Sequence, residues 1–254
     1  MLVIRKEQIA VFEEIAQKNF ERELIDHIKK FIPKHAEAVG NDQLNETIGL
    51  GIERAREHGF TNRGPVQFYI EMMCMFGCDF DTDPQLPWAQ AILKDEEIVD
   101  QTQRADALFD KMTEYDEKVS GPNQEFYLKA LENLNSARLE HYNLSPATFD
   151  IEILGALRNI YPQKYEYLGK EGVEGSIARS KEIAAELAVT SDRGLALVVT
   201  MTSAVGHGFT HDPMYPWISK ALSEEKLSPN ERIETVHSKM KIYLDTVLSR
   251  RAKR

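Results

Sequence analysis

The run His207-Gly208-Phe209-Thr210-His211-Asp212 holds two imidazoles and a carboxylate, and three such side chains converging on one point are what a catalytic zinc ion takes from a protein. Four-residue spacing brings two histidines together when a helix carries both. Gly206, Gly208 and Pro213 instead predict a helix end and a turn, so capping or packing is the favoured reading and a metal held by His207, His211 and Asp212 the alternative. Asp79, Asp81 and Asp83 alternate as the opening ligands of a calcium loop do. Pro84 stands where that loop needs its sharp-turning glycine, however, and Gln90 stands where it needs a bidentate acid, so the EF-hand reading fails. What survives is an acidic turn that caps a helix or meets a basic partner. Glu140-His141-Tyr142 offers a base without a partner constellation, which reads as helix surface. No nucleophile elbow, phosphate loop, dinucleotide fingerprint or zincin helix occurs. Neither a catalytic residue nor a cofactor is expected.

An internal repeat frames these residues. Phe76 to Leu93 aligns without gaps on Val205 to Leu222, with Gly77/Gly206, Phe80/Phe209, Asp83/Asp212, Pro84/Pro213, Pro87/Pro216, Trp88/Trp217 and Leu93/Leu222 identical. The same offset of 129 residues pairs Pro33 with Pro162, Gly40 with Gly169, Ile48 with Ile177 and Glu53 with Glu182. One residue of shift then pairs Tyr115 with Tyr243. His207, His211 and Asp212 fall on Cys78, Thr82 and Asp83, so a metal would belong to one copy only. Trp88 and Trp217 are the only tryptophans, each after a D-P-x-x-P element. Asp before Pro suits a cap, and Pro87 or Pro216 can restart a helix that carries the Trp inward. A peptide pocket around each Trp is the functional alternative.

The elements that must position these residues read as helices throughout. Ile9, Phe12, Ile15, Phe20, Leu24 and Ile28 share one face of a long helix ended by Pro33. Asn41 or Asp42 caps a second helix to about His58, and Thr61 or Asn62 a third to Gly77. Glu97 to Val119 is amphipathic, and Ser120-Gly121-Pro122 is the cleanest break. Helices follow near 123–142, 147–160, 170–188 and 191–205, then a short one after Pro216 and a last one capped by Ser228. The expectation is an all-α protein of two tandem diverged copies, residues 1–120 and 121–254, packed with a pseudo-twofold relation.

Composition narrows the partners. A net charge of −10, from 41 acidic and 31 basic residues, repels phosphate backbones and anionic lipid, so nucleic acid and membrane are not expected. Arg250-Arg251-Ala252-Lys253-Arg254 reads as cations at a helix C-terminus. Cys74 and Cys78, one turn apart, read as buried thiols of a cytoplasmic protein. The start lacks the apolar run of a signal peptide.

Leu2 to Gln8, LVIRKEQ, together with Phe76 to Ala89, FGCDFDTDPQLPWA, resembles a family of bacterial helical proteins encoded beside type VI secretion spike and effector genes. The resemblance is strongest over residues 1 to about 95. It implies an immunity protein or effector adaptor and supplies no catalytic residues. In the second copy Gly208 and Thr210 replace two of the acids. The expected function is therefore non-catalytic binding of a protein partner, such as a basic toxin or effector, by a monomer or homodimer. Asp79, Asp81, Asp83, Trp88 and Trp217 are the candidate contacts. A metal-dependent enzyme or toxin built on the His207 cluster, and a self-assembling scaffold, are the alternatives.

Overall fold

The structure, a computed structural model, describes residues 6–249. Leu2 to Arg5 of the opening segment and the basic run from Arg250 lie outside the described residues. The protein is all-α: among the described residues helices make up 77% and no strand occurs. The first half runs α1 (Lys6–Phe31), α2 (Pro33–Val39), α3 (Asn41–Glu57), α4 (Arg63–Phe76), α5 (Pro87–Leu93) and α6 (Gln101–Tyr115). The second runs α7 (Glu125–Ser136), α8 (Phe149–Ile160), α9 (Pro162–Glu186), α10 (Asp192–Val205), α11 (Pro216–Leu222) and α12 (Pro229–Ser249).

Each half has its own hydrophobic core. One gathers Leu24, Ile48, Tyr69, Met73, Phe80 and Leu108, and the other Ile153, Ile177, Leu197, Phe209, Ile218 and Val236. Their central helices, α4 and α10, are apolar on most faces and have the same length. Met214 of the second half inserts into the first core.

The backbone repeats at the sequence offset. Ile32 and Tyr161 share an unusual conformation (φ −127, ψ 61 and φ −124, ψ 62) before Pro33 and Pro162. Gly40 and Gly169 then break the chain at φ 84 and φ 68. Leu86 and Tyr215 match to within a degree before Pro87 and Pro216. Even the caps correspond: Gln101 Oε1 accepts the amides of Thr61 and Asn62, and Asn230 Oδ1 those of Thr190 and Ser191.

Several local expectations are revised. Pro33 does not only end α1; it starts α2, because a proline at the first helical position lacks an amide that would be orphaned there anyway. Gly40, not Asn41 or Asp42, precedes α3, and Asn62 makes no side-chain cap on α4; Gln101 accepts the amides of Thr61 and Asn62 just ahead of that helix. The helix expected from Glu97 begins at Gln101, capped by Asp100, and its tail widens into a π-helical turn at Asp116–Ser120. Ser228 caps α12 as expected, accepting the Glu231 amide while Glu231 accepts from Ser228.

The apolar stripe of α1 holds only in part. Leu24 and Ile28 are buried, whereas Phe12 is 64% exposed, and Val11 and Ile15 are exposed with it. The first half of the helix extends past the body it would pack on.

Candidate functional site

The two D-P-x-x-P turns meet face to face at the middle of the molecule. Asp212 Oδ2 accepts the Cys78 amide at 2.9 Å, and Asp83 Oδ2 accepts the His207 amide at 2.9 Å. Because Cys78 and His207 occupy equivalent positions, the two bonds are one interaction exchanged reciprocally, as a twofold relation between halves requires. Gly77 and Gly206 permit the approach. A Cβ on Gly77 would lie 2.5 Å from the Val205 carbonyl, and one on Gly206 2.7 Å from that of Phe76. Asp83 also accepts the Gln85 amide, and Asp212 that of Met214, so each aspartate closes its own turn and pins its neighbour's. Burial, only partly offset by these amides, raises the pKa of Asp212.

This placement corrects the expectation of an accessible acidic surface. Asp81 and Asp83 are 3% and 2% exposed, and the third acid, Asp79, is largely covered. Arg54 bridges Asp79 and Asp81; His58 Nε2 lies 2.8 Å from Asp81, and the Tyr69 hydroxyl donates to it at 2.7 Å. Burial works against both carboxylates, but His211 and Arg54 hold Asp79 well below the usual range, and His58, Tyr69 and Arg54 hold Asp81 below it. Arg54, His58 and Tyr69 are site residues that inspection of the motif alone misses. A signal was present in the offset: the second half has Ile183, Leu187 and Val198 at those positions and Thr210 opposite Asp81.

The three residues weighed as a metal triad separate. His207 turns its Nε2 to the Asp79 carbonyl at 3.0 Å and Thr82 Oγ1 at 3.1 Å, and its Nδ1 accepts from Arg179 at 3.3 Å. Asp212 is engaged by backbone amides. His211 instead pairs with Asp79 at 3.1 Å, which raises its pKa. A different group does gather, with donor atoms of Cys78, Asp79 and His211 within 4.8 Å of one another. Its chemistry is poor for a cation: Asp79 is committed to Arg54 and His211, and a metal would sit against a guanidinium. The cluster is an ion-paired structural network.

Trp88 is buried in the first core against Phe76 and Tyr115, and Trp217 packs on the second core. Glu140 pairs with Arg193 at 2.7 Å.

Beside the central turns the halves leave a cleft of about 320 Å³. Phe76, Tyr115, Tyr127, Tyr161 and Tyr215 supply aromatic lining, and Lys164, at the start of α9, reaches in beside Gln85 and Ser203. Burial pushes the Lys164 ammonium down to about 8 against the nearby charge of Asp83. Its equivalent in the first half is His35, whose Nε2 lies 2.8 Å from the Met214 carbonyl. Each half thus sends one basic side chain from the helix after its Pro33 or Pro162 break onto the other half's turn.

No family model, curated protein or solved structure matches the chain. Function must therefore be argued from the geometry. No helix among the described residues is long and apolar enough to cross a membrane.

Proposed function

We propose that the protein is a non-catalytic, protein-binding component of a bacterial secretion and toxin system, an immunity protein or effector adaptor, and that α1 is its docking element. The observation that carries this reading is the apolar stripe of α1 continuing beyond its own body: Val11, Phe12 and Ile15 lie exposed on a helix whose lower turns bury Leu24 and Ile28. An amphipathic helix gains stability by covering its apolar face, and contiguous exposed apolar side chains on a soluble protein mark an interaction surface. Laid in a partner's groove, such a helix is read through residues at three- and four-residue spacing. The charge of −10 steers the chain toward a basic partner. The resemblance of residues 1 to about 95 to proteins encoded beside type VI secretion genes supplies the context. Fusion of two copies of one module accounts for the repeat, and the reciprocal aspartate bonds are what a former dimer interface would leave.

The test is co-expression of the tagged chain with the effector encoded beside it. A stoichiometric complex is expected, lost in Phe12→Asp/Ile15→Asp while thermal unfolding stays unchanged. No complex with the neighbouring product, or one indifferent to that pair of substitutions, overturns the reading. Growth of cells expressing the effector then separates immunity, in which toxicity is blocked, from delivery, in which it is not.

A further inference from the structure

The cleft between the halves carries an inference independent of the α1 surface. Its size lies at the lower end of the range of about 300–1,000 Å³ typical of small-molecule sites, and its lining joins an apolar, tyrosine-rich wall to one cationic corner. At that corner Lys164 makes two hydrogen bonds, both to neutral oxygens: Gln85 Oε1 at 3.2 Å and the Ser203 carbonyl at 2.9 Å. An ammonium has three donors. Its third N–H is uncommitted, and among the described residues no carboxylate pairs with it. The Lys164 ammonium also stands over the Tyr161 ring, 5.2 Å from its centroid. The Tyr161 hydroxyl is the second observation. Tyr161 is 9% exposed, and its hydroxyl is buried with no hydrogen-bond partner. A buried phenol ordinarily finds a partner.

We propose that this cleft binds a small monocarboxylic acid with an apolar body, its carboxylate held by the Lys164 ammonium and the Tyr161 hydroxyl and its body laid on the tyrosine wall. The charge of the lining sets the class. Two carboxylates belong to it, Asp83 and Asp116. The oxygens of Asp83 are taken by Gln85 and His207, so Asp83 does not quench Lys164 by direct contact, and the two acids together disfavour a dianion. A phosphate ester or dicarboxylate is therefore the wrong ligand. An uncharged apolar molecule would leave both polar groups unmatched, and burying such groups unpaired is costly.

Isothermal titration of the full chain with 4-phenylbutyrate and decanoate, and with 4-phenylbutyramide as the uncharged control, tests the proposal. Saturable binding of one equivalent of at least one acid is expected, with the amide weaker by about tenfold or more, the usual scale for losing a charge-assisted bond. Lys164→Met should abolish the preference for acid over amide. Tyr161→Phe, which keeps the ring, should weaken acid binding several-fold while the thermal midpoint of the free protein holds or rises, since it deletes a buried hydroxyl that has no partner. Absence of saturation by either acid at millimolar concentration, equal binding of acid and amide by the parent chain, or a preference surviving in Lys164→Met overturns it. Should Lys164→Met not fold, Tyr161→Phe decides: an unchanged acid-to-amide ratio overturns the proposal. None of these outcomes bears on the α1 surface, whose test reads complex formation with a protein.

Discussion

Asp83 and Asp212 hold the two halves of the molecule together by trading the same bond, each accepting at 2.9 Å a backbone amide that belongs to the other's turn. Both are almost fully buried. Neither partner amide has another acceptor in these turns, so each depends on the other half's carboxylate.

Asp83→Asn should therefore destabilise the protein by about 1.5–3 kcal/mol, the cost of losing charge-assisted bonds to buried donors. Asp212→Asn should cost less, because Asp212 serves two amides, whereas Asp83 serves two amides and the Gln85 side chain. Urea unfolding of both variants checks this. A midpoint unchanged in Asp83→Asn would mean that the charge of Asp83 contributes nothing net to the joint.

The backbone makes a second, sharper prediction. Gly59 ends α3 in the left-handed region at φ 77, and the equivalent residue after α9 is Ala188 at φ 55. The helix-ending bonds match too, Phe60 N to Ala55 O at 2.9 Å and Val189 N to Ala184 O at 2.8 Å. Ala188 is exposed, so Ala188→Gly removes a steric penalty and little else. It should stabilise the protein by roughly 0.5–1 kcal/mol. Gly77→Ala places a Cβ against the Val205 carbonyl at a φ of +99 and should cost at least about 2 kcal/mol. Thermal melts of the two variants should move in opposite directions.

The helical class was legible because glycines at special φ, helix-starting prolines and buried apolar positions leave marks at fixed spacing. Gly40/Gly169 and Gly77/Gly206 show this directly. The acids were misread for a physical reason. Asp79, Asp81 and Asp83 resemble a solvated turn in one dimension, and what buries them, Arg54 and His58, comes from another helix. The first turns of α1 misled in the opposite sense. Phe12 and Ile15 obey the core pattern, but periodicity reports that a face is apolar, not that this chain covers it.

His35 gives the pH dependence a defined sign. Burial lowers its pKa below 6.5, and the Met214 carbonyl only partly restores it, so the folded state favours neutral imidazole. Its contribution is fully present above the unfolded value of about 6.5. It is lost as the pH falls from there through the lowered folded value, because the unfolded chain binds the proton first. His35→Gln retains a donor for Met214 and removes the titration. Its stability should fall less than that of the parent chain between neutral pH and about pH 5. His237 is lowered by burial as well and supplies a residual slope in both proteins. Parallel curves would remove His35 from this account.

Arg54 allows the most demanding test, because the molecule contains its own control. In the first half Arg54, His58 and Tyr69 surround Asp81; in the second the positions at the same offset hold Ile183, Leu187, Val198 and Thr210. Arg54→Met leaves Asp79 and Asp81 without their guanidinium in a covered site and should cost roughly 3–5 kcal/mol. Both carboxylates have lowered pKa values. Their stabilisation is present above the unfolded carboxylate value and lost as the pH falls through the folded ones, so the variant should also lose part of the parent's slope below about pH 4. Transplanting the second half's residues together, as Arg54→Ile, His58→Leu, Tyr69→Val, Asp79→Gly and Asp81→Thr, removes the charges with every partner but the more exposed His211. That chain should recover most of the loss, since deleting a whole buried ion network is often nearly neutral where breaking one is not. The measurement is urea unfolding of the single and fivefold variants. If the fivefold variant is as unstable as Arg54→Met, the network supplies net stability that the apolar set cannot replace, and the two halves are not interchangeable solutions to one packing problem.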